Sequence, residues 1–307
     1  MTKVLIAKNA GYCFGVKRAI ETALNNADKN VCILGELIHN ERTLLDLSNA
    51  GLKTISDVKE ALGRTVLIRA HGEPSSTYEY MQANGISYID CTCPFVEDIH
   101  KKVREYYNKG YQIIIIGKAS HPEVVGINGW CDNTALVTDD FDEIYKITAQ
   151  KLCVVAQTTY SSEKFDEIRK KIETLSDKKL EIFKTICYTT IQRQKETAFI
   201  ARQTDAVIVI GGKNSSNTNK LFSIAKSIQS NTFLISEPDE LDVDKIKKYR
   251  KVGIVLGAST PFEQAKEVIQ RMEVTEVNTA EIKVDKVEKK VEKYTMEAEM
   301  KKLENKA

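Results

Sequence analysis

No run of about eighteen apolar residues occurs in the 307-residue chain, which excludes a membrane-spanning helix and any membrane partner built on one. The opening stretch MTKVLIAKNAG has neither the long apolar segment nor the cleavage site of a secretory signal, so a cytoplasmic location is expected. Charge of one sign is not in excess either. With 45 Lys+Arg against 43 Asp+Glu, the chain lacks the basic surplus of a nucleic-acid binder, and no nucleic-acid partner is inferred. No G-x-G-x-x-G follows an expected strand, so bound NAD is unsupported. The seven cysteines are an odd number in an expected reducing compartment. That argues against a disulfide framework and for metal or catalytic use of some of them.

What is present is an alternation. VCIL (31–34), VLI (66–68), IIII (113–116), LCVVA (152–156), AVIVI (206–210), TFLI (232–235) and VGIVL (252–256) read as strands buried on both faces of a parallel sheet. Between them, Val16, Ala19, Ile20, Ala23 and Leu24, or Phe165, Ile168 and Ile172, recur at helical spacing. The class is α/β. Past Glu273 aromatics nearly vanish and charge dominates. Residues 273–307 are therefore expected to form a charged helical or disordered tail.

An internal repeat gives the cysteines meaning. Cys13 in GYCFGVKRAIETAL, Cys93 in CTCPFVEDIHKKV and Cys187 in TICYTTIQRQKETAF each precede a helix-like stretch. They are followed after 26, 28 and 29 residues by His39, His121 and Ser216, each beyond a strand and a glycine. A second polar residue comes 32, 37 and 43 residues later: His71, Thr158 and Ser259. In open α/β sheets ligands gather beyond the carboxyl ends of the strands, where these groups fall. Three such units facing one another converge three thiols and six polar groups on one site.

A helix N-terminus favours the thiolate, the metal-binding form. Zinc takes four protein ligands, or three and a water. A four-iron cluster normally takes four thiolates, so three would leave one iron open as a Lewis acid. The hydroxyl, amide and imidazole groups near strand-to-helix turns suit the anionic end of a phosphorylated substrate.

The motifs GYCFGV, GELIHN, RAHG, DCTCPFV, SHPEVVG, AQTTYS, ICYTTIQRQ, GGKNSSNT and GAST, in that order over about residues 3–272, closely resemble the 4-hydroxy-3-methylbut-2-enyl diphosphate reductase family, also called IspH or LytB, of the non-mevalonate isoprenoid pathway. The resemblance implies a trefoil of three pseudo-repeated α/β units with mainly parallel sheets around a central [4Fe-4S] cluster. The units would be 14–93, 94–184, and 1–13 with 185–272. It implies reductive removal of an allylic hydroxyl from the diphosphate substrate, giving isopentenyl and dimethylallyl diphosphate, with an external electron donor such as ferredoxin or flavodoxin. By matching motif, Cys13, Cys93 and Cys187 would be the cluster ligands. His39, His71, His121, Ser215, Ser216, Asn217 and Ser259 would contact diphosphate, Thr158 would lie near the reacting carbon, and Glu123, with His121 beside it, would supply the proton. The chemistry asks for such a group, because a carboxyl in a water-poor pocket can have its pKa raised enough to protonate a leaving oxygen.

Other readings attach to single residues. Cys32 and Cys153, inside apolar strands, read as core; Cys91 reads as a spare thiol, and Cys131 has no partner motif. His100 reads as part of a solvated helix face, and Glu123 alone could cap a helix after Pro122. A non-catalytic electron carrier would need no converging histidines and hydroxyls. A metal-dependent hydrolase would want His/Asp ligand spacing that is absent.

Overall fold

A computed structural model describes residues 2–280 apart from positions 28, 62, 176 and 273, and three parallel sheets organise them. The chain opens with β1 (Lys3–Ile6) and α1 (Phe14–Leu24), then builds the first sheet from β2 (Val31–Leu34), β3 (Lys53–Ile55), β4 (Thr65–Ile68) and β5 (Tyr88–Asp90), with α2 (Glu41–Asn49) and α3 (Ser75–Ala83) between them. After α4 (Pro94–Asn108), the second sheet takes β6 (Gln112–Ile116), β7 (Leu136–Val137), β8 (Lys151–Ala156) and β9 (Lys179–Ile182), with α5 (Pro122–Gly129), α6 (Phe141–Tyr145) and α7 (Ser162–Ile172). After α8 (Tyr188–Gln203), the third takes β10 (Ala206–Ile210), β11 (Thr232–Ile235), β12 (Lys251–Leu256) and β13 (Glu276–Thr279), with α9 (Ser216–Ile228), α10 (Val243–Ile246) and α11 (Phe262–Met272).

The connectivity repeats. The sheet orders are β3-β2-β4-β5, β7-β6-β8-β9 and β11-β10-β12-β1-β13. In each, the first strand after a long helix is flanked by the second on one side and the third on the other. The fourth place in the third sheet is filled by β1 from the N-terminus, so the chain closes on itself.

Alternating side chains explain why the central strands are apolar throughout. Ile114 and Ile116 enter one core cluster and Ile113 and Ile115 another. Val207 and Val209 likewise face away from Ile208 and Ile210, and Val31 and Ile33 away from Cys32 and Leu34. Each sheet thus has two apolar layers, as a parallel sheet covered by helices on both faces requires. All seven apolar runs named from sequence lie within strands. Cys32 and Cys153 are fully buried in β2 and β8.

Two expectations are corrected. Residues 276–279 are not tail: they form β13, which pairs in parallel with β1, and the Ala280 N–H continues the pairing by donating to the Ile6 carbonyl at 2.8 Å. The strand's side chains are exposed, so its polar composition fits a sheet edge; the part of the expected tail at 281–307 lies outside the described residues. His100 is not on a solvated face. It is 2 % exposed and stacks on Trp130, with ring centroids 5.2 Å apart. It also fills the space beside Gly72, whose φ of +71° and lack of Cβ allow the close approach. Among the described residues no helix is long and apolar enough to cross a membrane.

Candidate active site

Each unit ends its fourth strand in a thiol. β1 leads to Cys13, β5 to Cys93 and β9 to Cys187, which are the N-cap residues of α1, α4 and α8. A hydrogen bond repeated three times fixes their backbones: the N–H groups of Cys13, Cys93 and Cys187 donate to the carbonyls of Ala258, Ala70 and Thr158 at 2.9, 3.0 and 3.0 Å. Those carbonyls belong to turns that follow β12, β4 and β8. Each turn is closed by a further bond, from Thr260 to Gly257, from Gly72 to Arg69 and from Tyr160 to Gln157.

This register refines the repeat. The third turn position holds Ser259, His71 and Thr159, so Thr159 rather than Thr158 is the counterpart of the other two. The uneven spacings of 32, 37 and 43 residues hid this in the sequence. Thr159 donates to Ser216 Oγ at 3.2 Å, and Gln157 Nε2 reaches Thr159 Oγ1 at 2.7 Å and Ser216 Oγ at 3.2 Å.

The loops after the first strands of the sheets supply the other polar groups. His121 is the N-cap of α5, and its Nδ1 accepts the Glu123 N–H at 3.2 Å. In a neutral ring this leaves the proton on Nε2, a donor. Ser215 is the N-cap of α9 and accepts the Thr218 N–H, with Ser216 and Asn217 in the first turn. His39 precedes Asn40, the N-cap of α2, and its carbonyl accepts Ser259 Oγ at 3.3 Å.

One cavity of about 110 Å³ gathers the three thiols, the three histidines, Glu123, Thr158, Thr159, Ser215, Ser216, Asn217 and Ser259. No residue singled out for the site falls outside it. Cys91 and Cys131 are buried elsewhere in the core.

The electrostatics sort these groups. Glu123 is 2 % exposed. Burial raises its carboxyl to about 7, against the opposing effect of two hydrogen bonds from Thr158. The Thr158 N–H donates to Oε1 at 2.6 Å, and Thr158 Oγ1 lies 2.5 Å from Oε2. The bland reading of Glu123 as a cap fails, because His121 holds the cap position. Burial lowers His121 to about 4, and burial with repulsion from His121 and His39 takes His71 well below its usual range. Burial pushes the Cys187 thiol up, against a hydrogen bond with Thr189; the thiolate there needs a positive partner such as a metal.

The imidazoles of His39, His71 and His121 have ring centroids 5.3 to 6.3 Å apart, with ligand atoms within 4.8 Å of one another. Three such nitrogens could hold a metal ion. However, His121 Nδ1 is committed as an acceptor, so a metal on Nε2 would break the Glu123 N–H bond, whereas an anion accepts the Nε2–H as it stands. Asn217 adds a second sign of an anionic ligand: both its amide atoms and His71 Nδ1 are buried without a partner, a costly state unless a ligand satisfies them. The thiol side fits a bulky metal group. Gly15 in α1 packs so closely that a Cβ there would lie 2.9 Å from Cys93 Sγ.

The model of the family described as LytB protein matches residues 4–273. A protein of Clostridioides difficile (strain 630) named 4-hydroxy-3-methylbut-2-enyl diphosphate reductase is 43% identical over 279 residues, covering 88% of this chain and 99% of its own. The solved E-1-hydroxy-2-methyl-but-2-enyl-4-diphosphate reductase of Plasmodium falciparum superposes with a TM-score of 0.85 at 26% identity, over 93% of this chain and 94% of that one. A second solved structure, of (E)-4-hydroxy-3-methyl-but-2-enyl diphosphate reductase, described as the terminal enzyme of the non-mevalonate pathway, gives 0.65 at 34% identity over 89% and 99%. By sequence over nearly its whole described length and by architecture, the chain belongs to the LytB family.

Proposed function

We propose that this protein converts 4-hydroxy-3-methylbut-2-enyl diphosphate into isopentenyl and dimethylallyl diphosphate. The allylic alcohol takes up two electrons and two protons, and its hydroxyl leaves as water. Cys13, Cys93 and Cys187 would hold a [4Fe-4S] cluster. When bound, the cluster supplies electrons one at a time and a Lewis-acidic iron toward the hydroxyl. The electrons come from an external one-electron carrier such as ferredoxin or flavodoxin.

The chain's own groups divide the remaining work. His39, His71 and His121 with Ser216, Asn217, Thr159 and Ser259 bind the diphosphate. Ser215 holds the first turn of α9 in place through its cap. With the anionic end fixed among these groups, the allylic end reaches toward the thiol side of the cavity, past Thr158. Glu123 supplies the proton through the Thr158 hydroxyl, which lies 2.5 Å from Oε2: the hydroxyl gives its proton to the leaving oxygen and takes another from Glu123. Burial of the carboxyl keeps that proton in place near neutral pH.

The observation that carries this reading is the sharing of one cavity by three helix-capping thiols, a carboxyl raised to about 7 and a buried, unpartnered amide. An electron carrier needs only the first. Purification without oxygen tests it: iron and acid-labile sulfide should be bound, and turnover with a viologen donor should follow. Cys13→Ser, Cys93→Ser and Cys187→Ser should each weaken iron retention, while Cys32→Ser should not. Stoichiometric zinc without sulfide in wild-type protein would overturn the assignment.

A further inference from the structure

Arg193 belongs to none of the groups described so far, yet it is 5 % exposed and joins two of the thiol-bearing segments. It lies on α8, the helix capped by Cys187. Its Nη2 donates to the Gly11 carbonyl at 2.7 Å and its Nη1 to the Leu256 carbonyl at 3.1 Å. Gly11 lies two residues before Cys13, and Leu256 lies two before Ala258, whose carbonyl takes the Cys13 N–H. The guanidinium therefore closes a ring around the Cys13 turn. Three residues on, Glu196 holds the same loop, accepting from the Asn9 N–H at 3.1 Å and from Asn9 Nδ2 at 2.7 Å.

The hydrogen-bond partners of both terminal nitrogens are main-chain carbonyls. These orient the guanidinium but do not cancel its charge, and an uncompensated buried cation is costly. The negative groups that offset this burial are Cys13 first, then Glu196 and Cys187. Glu196, whose carboxyl burial also raises, is tied to Asn9 of the same loop rather than to the guanidinium. A buried cation with this placement has an electrostatic consequence for whatever the thiols hold. Each electron added to a thiolate-bound metal centre makes it one charge more negative, and net charge is among the factors that set such potentials.

We infer that Arg193 is a positioning residue that fixes the Cys13 loop and, through its buried positive charge, eases electron uptake by the centre that Cys13, Cys93 and Cys187 hold. This rests on the cluster assignment proposed above.

The test is a mediated redox titration of anaerobically reconstituted protein, followed by electron paramagnetic resonance, with iron and sulfide per chain measured on the same samples. Arg193→Met keeps much of the side chain's length and removes the charge. The expected result is at least a tenfold fall in the equilibrium constant for one-electron reduction, which corresponds to about 59 mV. Arg193→Lys keeps the charge and gives up the fork of donors, and its equilibrium constant should stay within threefold of wild type. Should Arg193→Met fail to retain iron while Arg193→Lys retains it at the wild-type potential, the charge requirement is equally supported. An unchanged potential in Arg193→Met overturns the inference. So does a shift in Arg193→Lys as large as that in Arg193→Met, or loss of iron from both, since the residue would then act by shape alone. Wild-type protein with no iron or sulfide would instead defeat the cluster assignment itself, and the two failures are distinguishable.

Discussion

Replacing Glu123 by Gln tests the chemistry at its most exposed point. The substitution keeps the side chain's shape, and Oε1 can still accept the Thr158 N–H now at 2.6 Å. The Nε2 group can donate to Thr158 Oγ1, so the hydroxyl need only rotate. What is lost is the exchangeable proton. General acid contributions are commonly about 10²- to 10⁴-fold, and kcat should fall by that range while iron content and KM change little. The pH profile separates a lost acid from a disturbed structure. Wild-type turnover should fall as pH rises through the Glu123 value of about 7, and the Gln variant should lack that limb. Stability gives an independent reading. Because the folded state holds this proton more tightly than the unfolded chain, Glu123 contributes stability that is complete below pH 4.5 and is lost as pH rises through 7. At about 1.4 kcal/mol per pKa unit, ionising the buried group costs about 3 kcal/mol, so Glu123→Gln should gain in melting temperature relative to wild type between pH 5 and pH 8. A Gln variant that turns over near the wild-type rate at saturating electron donor would refute the assignment, and the proton would then come from His121 or water.

Three further outcomes are expected. Gly15→Ala should lower iron retention without lowering the melting temperature of the metal-free protein, because alanine favours a helix by about 1 kcal/mol while the added Cβ displaces Cys93 Sγ; normal iron content in this variant would show that the thiol has room to give way. Binding of inorganic pyrophosphate at pH 7 should be accompanied by proton uptake, because the anion's charge offsets the burial and repulsion that keep His71 neutral, and calorimetric heats that do not depend on the buffer's ionisation enthalpy would exclude this. Ending the chain after Ala280 should leave the melting temperature unchanged, whereas ending it after Met272 removes β13 and its pairing to β1 and should lower it by about 2–4 °C for each kcal/mol lost; equal melting temperatures for the two would show the edge strand to be dispensable.

The parts of the fold legible in the sequence are those with one physical requirement. β6 and β10 are buried on both faces and must be apolar at every position, so IIII and AVIVI stand out. β3, β5 and β9, with sequences KTI, YID and KLEI, lie at sheet edges. There one side of the ladder is unpaired and composition is less constrained, so no periodicity marks them. β13 is obscured for the same reason and sits beside a long charged run. His100 was illegible for a different reason. Its neighbours Glu97 and Lys101 pair with each other on the exposed side of α4, and the sequence does not show that the remaining face meets Trp130 from α5's C-terminal end. The cysteines were legible through their repetition; Arg193 was not, since α8 buries Gln192, Arg193, Gln194 and Glu196 together and reads as an ordinary solvated helix until its partners are known.

The repeat also explains how one scaffold yields an asymmetric site. Three units deliver thiols by the same backbone device, an N-cap held by a turn carbonyl, so the thiol side is nearly threefold. The opposite side departs from symmetry at the second residue of the helix that follows each unit's first strand. In α5 that residue is Glu123, buried and bonded to Thr158; in α9 it is Asn217, buried without partners; in α2 it is Arg42, which turns outward to pair with Glu267. One equivalent position thus supplies an acid, a ligand-seeking amide and a surface ion pair. The proposed reaction would need this inequality: a symmetric ring of three carboxyls would repel a diphosphate, while three amides would offer no proton. With the buried acid in the second unit, the unpartnered amide in the third and the Arg42 side chain turned away in the first, the proposed anion and proton source would share one cavity without opposing each other.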